Sequence, residues 1–298
     1  DDTGWTIEAQ GGFSGSITDI SVQEIKGDKP RIDYTDSLTS PSLLLEPQST
    51  NLITYSEDFS NSSWTKNNCT VISNTSISPD GTQNADKLNF TTSNGEIVRT
   101  TSFTSGQQYT MSFYAKTESG TLNFKYGNVS YENVSGTATT EWQKFEITQI
   151  PPTASRYPKI QTTEIGSLLL WGFQLEELPY ATSYIPTNGS VATRLADSAS
   201  RSGLQDHINS TEGVLYAEIS ALDDDGTSRE ITISDGTTDN RVIISFNSSN
   251  QIRVNYRKSS SNIFDQTNNA TITNFHKVAI KWKVNDFSFY LNGNKVAS

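Results

Sequence analysis

Two histidines, one cysteine and a few clusters of acids and aromatics are the side chains in this 298-residue chain that could do chemistry. His207 and His276 are the candidate bases. No local motif sets a Ser or Cys nucleophile beside either, although members of a triad can lie far apart in sequence. The plainer reading of both is a structural or surface histidine. Cys69, in "NNCTVIS", reads as a small strand residue rather than a nucleophile, and as the lone cysteine it can form no intrachain disulfide. Paired carboxylates could serve a glycosidase. The pairs here, Glu176-Glu177 and Asp223-Asp224-Asp225, are adjacent, however, and neighbours along a strand point to opposite faces. The chain reads as non-enzymatic, which leaves open a catalytic domain outside it.

Binding chemistry has better candidates. In "ALDDDGTSRE" a turn presents Asp223 and Asp225 ahead of Gly226, hard oxygen ligands at short spacing that suit a structural calcium. The full twelve-residue EF-hand loop is absent, and an ordinary solvated acidic turn is the alternative. No cofactor is required. Sugar binding asks for aromatic platforms that stack on pyranose C–H groups, flanked by hydrogen-bonding side chains. Tyr114 shares the polar parity of its strand with Ser112 and Lys116. In "EWQKFEITQI", Phe145 and Ile147 mark the core side, while Trp142 shares parity with Lys144 and Glu146; an aromatic on a polar face is the informative exception. The alternative for Trp142 is a ring folded into the sandwich edge. Tyr126 and Tyr131 flank "GNVS", a loop that could rim a groove or be a plain loop. Trp64 and Trp171 are assigned to core.

The elements that must position these residues are strands. Hydrophobic residues make up 33% of the chain, aromatics 10% and charged residues only 18%, below the ~25% usual for soluble domains. Ser, Thr and Asn supply the polarity, and they suit turns and strands better than helices. Period-two alternation recurs: "YTMSFYAK" sets Tyr109, Met111, Phe113 and Ala115 on one face, "TLNFKY" groups Leu122, Phe124 and Tyr126, and "KVAIKWKV" stacks Val278, Ile280, Trp282 and Val284 against lysines. Turn signals such as "SPDG", "SDG" and "NG" fall between them. The pattern predicts an all-β chain of tandem antiparallel β-sandwiches. The expected divisions are the closing strands of a preceding sandwich (1–25), an extended connector (26–50), a dense strand series forming one sandwich (51–178), a second connector (179–212) and a last, truncated sandwich (213–298). "LLLWGFQLEEL" reads as the closing strand of the 51–178 sandwich, with Trp171, Phe173 and Leu175 on one face. Pro179 stops it, and "YATSYIPT" leads on to the next sandwich.

A formal charge of −11 repels phosphate backbones and anionic lipid, so nucleic acid is an improbable partner. No apolar run is long enough for a membrane-spanning helix.

"PSLLLEPQSTNLITYSEDFSNSSWTK", "SPDGTQNADKL" and "WGFQLEELPYATSYIPTNGSVATRLAD", in that order over residues 41–197, resemble a module of tailed-bacteriophage virion proteins of the tail-fibre and receptor-binding kind. The resemblance implies a jelly-roll similar to family-4-type carbohydrate-binding modules. It also implies a place on the virion surface, a host cell-surface glycan and other virion proteins as partners, and a homo-oligomer. "FHKVAIKWKVNDFSFYLNGNKV" is similar to laminin-G or concanavalin-like sandwiches, which implies a packing role for His276; the closing strands of that family are missing. Two other functions fit the same sequence: a purely architectural virion module without ligand, and the accessory carbohydrate-binding region of a polysaccharide-degrading enzyme.

Overall fold

The computed structural model describes residues 31–33, 41–128, 132–150 and 158–298, and among these every regular element is a strand. The expected strands of residues 1–25 lie outside the described residues. In chain order the strands begin with β1 (Arg31–Asp33), β2 (Ser42–Leu44) and β3 (Ser49–Asn51). The first sandwich follows with β4 (Trp64–Asn67), β5 (Cys69–Ser76), β6 (Ala85–Phe90), β7 (Glu96–Arg99), β8 (Tyr109–Lys116) and β9 (Leu122–Asn128). It ends with β10 (Glu132–Ala138), β11 (Gln143–Gln149), β12 (Lys159–Thr162) and β13 (Gly166–Glu176), and β14 (Ala192–Arg194) comes after it. The second sandwich comprises β15 (Glu212–Ile219), β16 (Arg229–Ser234), β17 (Arg241–Phe246), β18 (Ile252–Lys258), β19 (Ser261–Asn268), β20 (His276–Lys283), β21 (Ser288–Leu291) and β22 (Asn294–Ala297).

The jelly-roll packs sheet I, in the order β10-β9-β12-β7-β4, against sheet II, in the order β11-β8-β13-β6-β5. Alternation along β8 sends Tyr109, Met111, Phe113 and Ala115 into the core. Phe113 sits at its centre, stacked on Phe145 and Phe173 with ring centroids 5.5 Å away in each case. Trp64 closes one end, its ring 5.0 Å from Phe173 and its indole N–H donated to the Tyr55 carbonyl at 2.9 Å. The core assignment of Trp64 therefore holds.

The second sandwich stacks β15-β20-β21-β22 on β16-β17-β18-β19, all antiparallel, around a separate core that includes Ile244, Phe246, Val278, Ile280, Trp282 and Phe289. Val284 does not join Trp282, because β20 ends at Lys283 and leaves Val284 71% exposed. The "NG" turn between β21 and β22 has φ of 51° at Asn292 and 83° at Gly293, the two positive values a two-residue type I′ hairpin demands.

The described residues of the two proline-punctuated stretches include short strands. Arg31–Asp33 pairs with Ser42–Leu44 as a short antiparallel ladder, and Ser49–Asn51 pairs with Ala192–Arg194 across 140 residues of intervening chain. The segment after Pro179 folds back over the jelly-roll: Ile185 and Thr182 are buried, and Thr187 bonds to the Ile53 carbonyl at 2.5 Å.

One strand departs from simple alternation. Strand β13 carries a β-bulge between Trp171 and Gln174, with Gly172 at φ +65°. An extra residue in a strand reverses the parity beyond it. Leu168, Leu170, Phe173 and Leu175 consequently face the core, while Trp171 pairs with Tyr114 on the outer face. The expectation that Trp171, Phe173 and Leu175 share a face fails at this glycine. Asn51 holds the bulge open: its amide N–H groups reach the Phe173 and Ile185 carbonyls at 3.2 and 2.9 Å, and its oxygen accepts from the Leu175 and Ile53 N–H groups at 3.2 and 3.1 Å.

Candidate glycan-binding face

The outer face of sheet II is built in ranks by the registers of β11, β8 and β13. Thr148, Thr110 and Glu176 form one rank, Glu146, Ser112 and Gln174 the next, then Lys144, Tyr114 and Trp171. Lys116 and Trp142 lie one step beyond, with the Lys116 ammonium 5.0 Å from the centre of the indole ring. Every outer residue here except Trp171 and the two aromatic candidates is polar, as the parity of β8 and β11 requires.

Residues 178–187 cover the lower half of this face as a strap. Thr110 donates to the Leu178 carbonyl at 2.7 Å and Thr148 to the Pro179 carbonyl at 3.1 Å. The fully buried Glu176 accepts from Ser49 Oγ at 2.6 Å, from Gln174 Nε2 at 2.7 Å, from the Thr182 N–H at 3.0 Å and from the Thr182 hydroxyl. Four donors satisfy a carboxylate that burial would otherwise make very costly. Gln174 takes the Ile185 N–H at 2.7 Å. At the top of the strap the Tyr184 ring lies 4.6 Å from Trp171, and both Tyr184 and Tyr114 lie 3.5 Å from where a Cβ on Gly172 would stand. The Tyr184 hydroxyl donates to Glu57 at 2.9 Å, and burial beside that carboxylate pushes its phenol well above the ordinary tyrosine range.

A buried charge cluster locks the strap from behind. Glu46 pairs with Arg31 and with Arg194, and its other oxygen accepts the Ser183 N–H at 2.7 Å. Asp197 takes Arg31 at 3.2 Å and the Glu46 N–H at 2.9 Å. Desolvation draws both guanidinium pKa values below their usual level, partly offset by Asp197.

The upper half of the face is left open, and two of the sequence-derived sugar candidates stand there. Tyr114 is half-buried, 5.5 Å from Trp171. Trp142 is half-buried on the polar side, outside the core, with its N–H donated to the Ile77 carbonyl at 3.0 Å. Tyr126 is placed differently from its reading as a loop aromatic. Strand β9 runs on to Asn128, so Tyr126 keeps the parity of Leu122 and Phe124 and lies in the core, 5.4 Å from Phe113. Tyr131 lies outside the described residues. The residue that sequence reasoning missed is Trp171, which backs Tyr114 from the outer face; the signal was a glycine inside an apolar strand.

His276 is buried, with Nε2 2.9 Å from the Thr271 carbonyl and Nδ1 3.1 Å from the Asn292 amide. His207 is exposed, and burial pushes the Cys69 thiol up to about 12. Glu176 is buried while Glu177 is exposed. Asp223 accepts the Asp224 N–H at 2.8 Å. Asp225 pairs with Arg229 at 2.9 Å and accepts from the Tyr180 hydroxyl at 3.3 Å, which ties the strap to the second sandwich. Among the described residues no group of three or more His, Cys, Asp and Glu side chains is placed to hold a metal. A hollow of about 250 Å³ lined by Gln48, Ser49, Thr50, Leu52, Glu177 and Leu178 has no aromatic wall and lies off the aromatic strip.

No protein-family model matches this chain, and no curated protein does. Among solved structures it is similar to the CBM22-1 xylan-binding domain of Paenibacillus barcinonensis Xyn10C, at 13% identity over 47% of this chain and 97% of that one, with a TM-score of 0.33. TmCBM61 in complex with β-1,4-galactotriose is similar at 16% identity over 42% and 97%, TM-score 0.32. Tailspike protein 4 of bacteriophage CBA120 gives 14% identity over 42% and 21%, TM-score 0.29. Scores near 0.3 assign the chain to no family, so its function has to be read from its own side chains.

Proposed function

We propose that this protein is a non-enzymatic, glycan-binding component of a tailed-phage virion. The observation that carries glycan binding is the open half of sheet II, where Tyr114 and Trp142 stand half-exposed among polar residues beside a strap that closes the rest. Half-exposed rings on a rigid sheet offer apolar faces to a pyranose at little entropic cost. The phage setting rests on the ordered strings of residues 41–197. In it, the module is displayed at the virion surface, joined to other virion proteins and repeated in a homo-oligomer. Single sites of this size bind weakly, and repetition raises avidity. The reading requires no cofactor.

A glycan array followed by titration of the best hit tests this. Trp142→Ala and Tyr114→Ala should each lower affinity by about tenfold, the order expected of an interface aromatic, without moving the thermal midpoint of the second sandwich. Affinity unchanged in both variants removes this face from consideration. An architectural module without ligand is favoured by a different observation. Within the string "WGFQLEELPYATSYIPTNGSVATRLAD" that carries the resemblance, Glu176, Thr182, Arg194 and Asp197 are all engaged in closing the strap. An array without hits decides for that reading.

A further inference from the structure

Each of the two open aromatics stands against a lysine on this face. Tyr114 faces Lys144 across the β8–β11 ladder, and Trp142 lies beneath Lys116. An ammonium supplies three donors and no acceptor, whereas a neutral sugar hydroxyl is held best by groups that both donate and accept. Lys116 also differs from the cations around it. Lys87 pairs with Glu118 at 2.5 Å and Lys144 with Glu146 at 3.1 Å. Lys116 has no carboxylate partner among the described residues, in a chain with 33 acids against 22 lysines and arginines. Its charge rests on the π face of Trp142, which answers the charge in part and leaves the N–H groups for an oxygen anion.

We propose that the ligand of this face is an anionic glycan, whose carboxylate or sulfate group is bound by Lys116 while its ring lies against Trp142 and Tyr114. This rests on the glycan-binding reading above. The overall charge of −11 opposes such a ligand at long range, so the attraction is local and falls with added salt. It sets selectivity rather than the rate of encounter.

Two matched pairs of probes test it on the whole 298-residue chain by titration at low and moderate salt: oligogalacturonate with its carboxyl-reduced galactose counterpart, and dextran sulfate with dextran. The charged member of at least one pair should bind about tenfold tighter, as a charge-assisted hydrogen bond gives, and the pair that responds identifies the anionic group. Lys116→Gln should erase the preference while sparing the neutral member and the thermal midpoint, and Trp142→Ala should weaken both members. A preference that survives Lys116→Gln, or equal binding within each pair, overturns the anionic assignment and leaves glycan binding standing. Charged probes that bind regardless of Trp142→Ala indicate surface ion exchange and also overturn it. Silence from all four probes and from a broad array removes both readings together.

Discussion

Asp86 accepts the backbone N–H groups of Phe59 and Asn74 at 2.9 Å each, while its side chain is shut off from water. Burial, with Asp58 and Glu57 nearby, holds its carboxyl up at about 6, against 3.8 when exposed; Glu57 is raised too. Between those two pH values the folded chain binds a proton that the unfolded chain does not. Stability from this site is therefore full below about 3.8 and is lost as pH rises through about 6. The lowered acids Glu96 and Asp80 act in the opposite sense, but only below their ordinary range. The midpoint of the first sandwich should rise as pH falls from 7.5 to 5, and Asp86→Asn should flatten that slope; thermal melts that keep the full slope in the variant point to another group. Parity made Tyr114 and Trp142 legible in the sequence, since each shares a face with polar neighbours. The same rule already grouped Tyr126 with Leu122 and Phe124, and the loop reading of Tyr126 went against it.

At the scale of elements, the strap belongs to one continuous run of chain, residues 170–197. They supply a strand, a bulge, a cover and a lock. The strand was legible from its apolar run and its proline stop. The return over sheet II was not, because it depends on partners more than 120 residues away: Asn51, Ser49 and Glu46. Glu46 joins three parts of the assembly, β1 through Arg31, β14 through Arg194 and the strap through the Ser183 N–H. Its removal leaves the buried Arg194 guanidinium without the carboxylate it pairs with, while the partly exposed Arg31 keeps Asp197. Breaking a buried pair of this kind costs about 3–5 kcal/mol. Glu46→Ala should lower the urea midpoint accordingly and open residues 178–197 to limited proteolysis, while the second sandwich stays protected. A variant as resistant as the parent chain sinks the locking role. Gly172 shows why the face assignment of Trp171 was out of reach of a period-two count: one residue at positive φ moves every later side chain to the other face.

Across the described residues there are two apolar cores that share no residue, one around Phe113 and one around Ile280 and Trp282. Between them the described side-chain contact is the Tyr180–Asp225–Arg229 clasp, partly open to water. The ion pair lies within the second sandwich, so the link across is the pair of hydrogen bonds at the Tyr180 hydroxyl, worth about 1–3 kcal/mol. That is small beside either core, so the sandwiches should unfold as two cooperative units rather than one. The aromatic centres give a direct test. Phe113→Ala removes a ring stacked on two others and should cost the first unit about 3–5 kcal/mol. Trp282→Ala should cost the second a similar amount, because Gly213 leaves its Cβ space to that indole and nothing else can fill it. Calorimetry should then resolve two transitions, with Phe113→Ala lowering one and Trp282→Ala the other, and Arg229→Ala moving neither by more than the clasp is worth. A single transition that both core variants shift alike would mean that the clasp and strap weld the sandwiches into one folding unit. Trp142 would then report on events in either half, and the glycan-binding variants would have to be read against the stability of the entire chain.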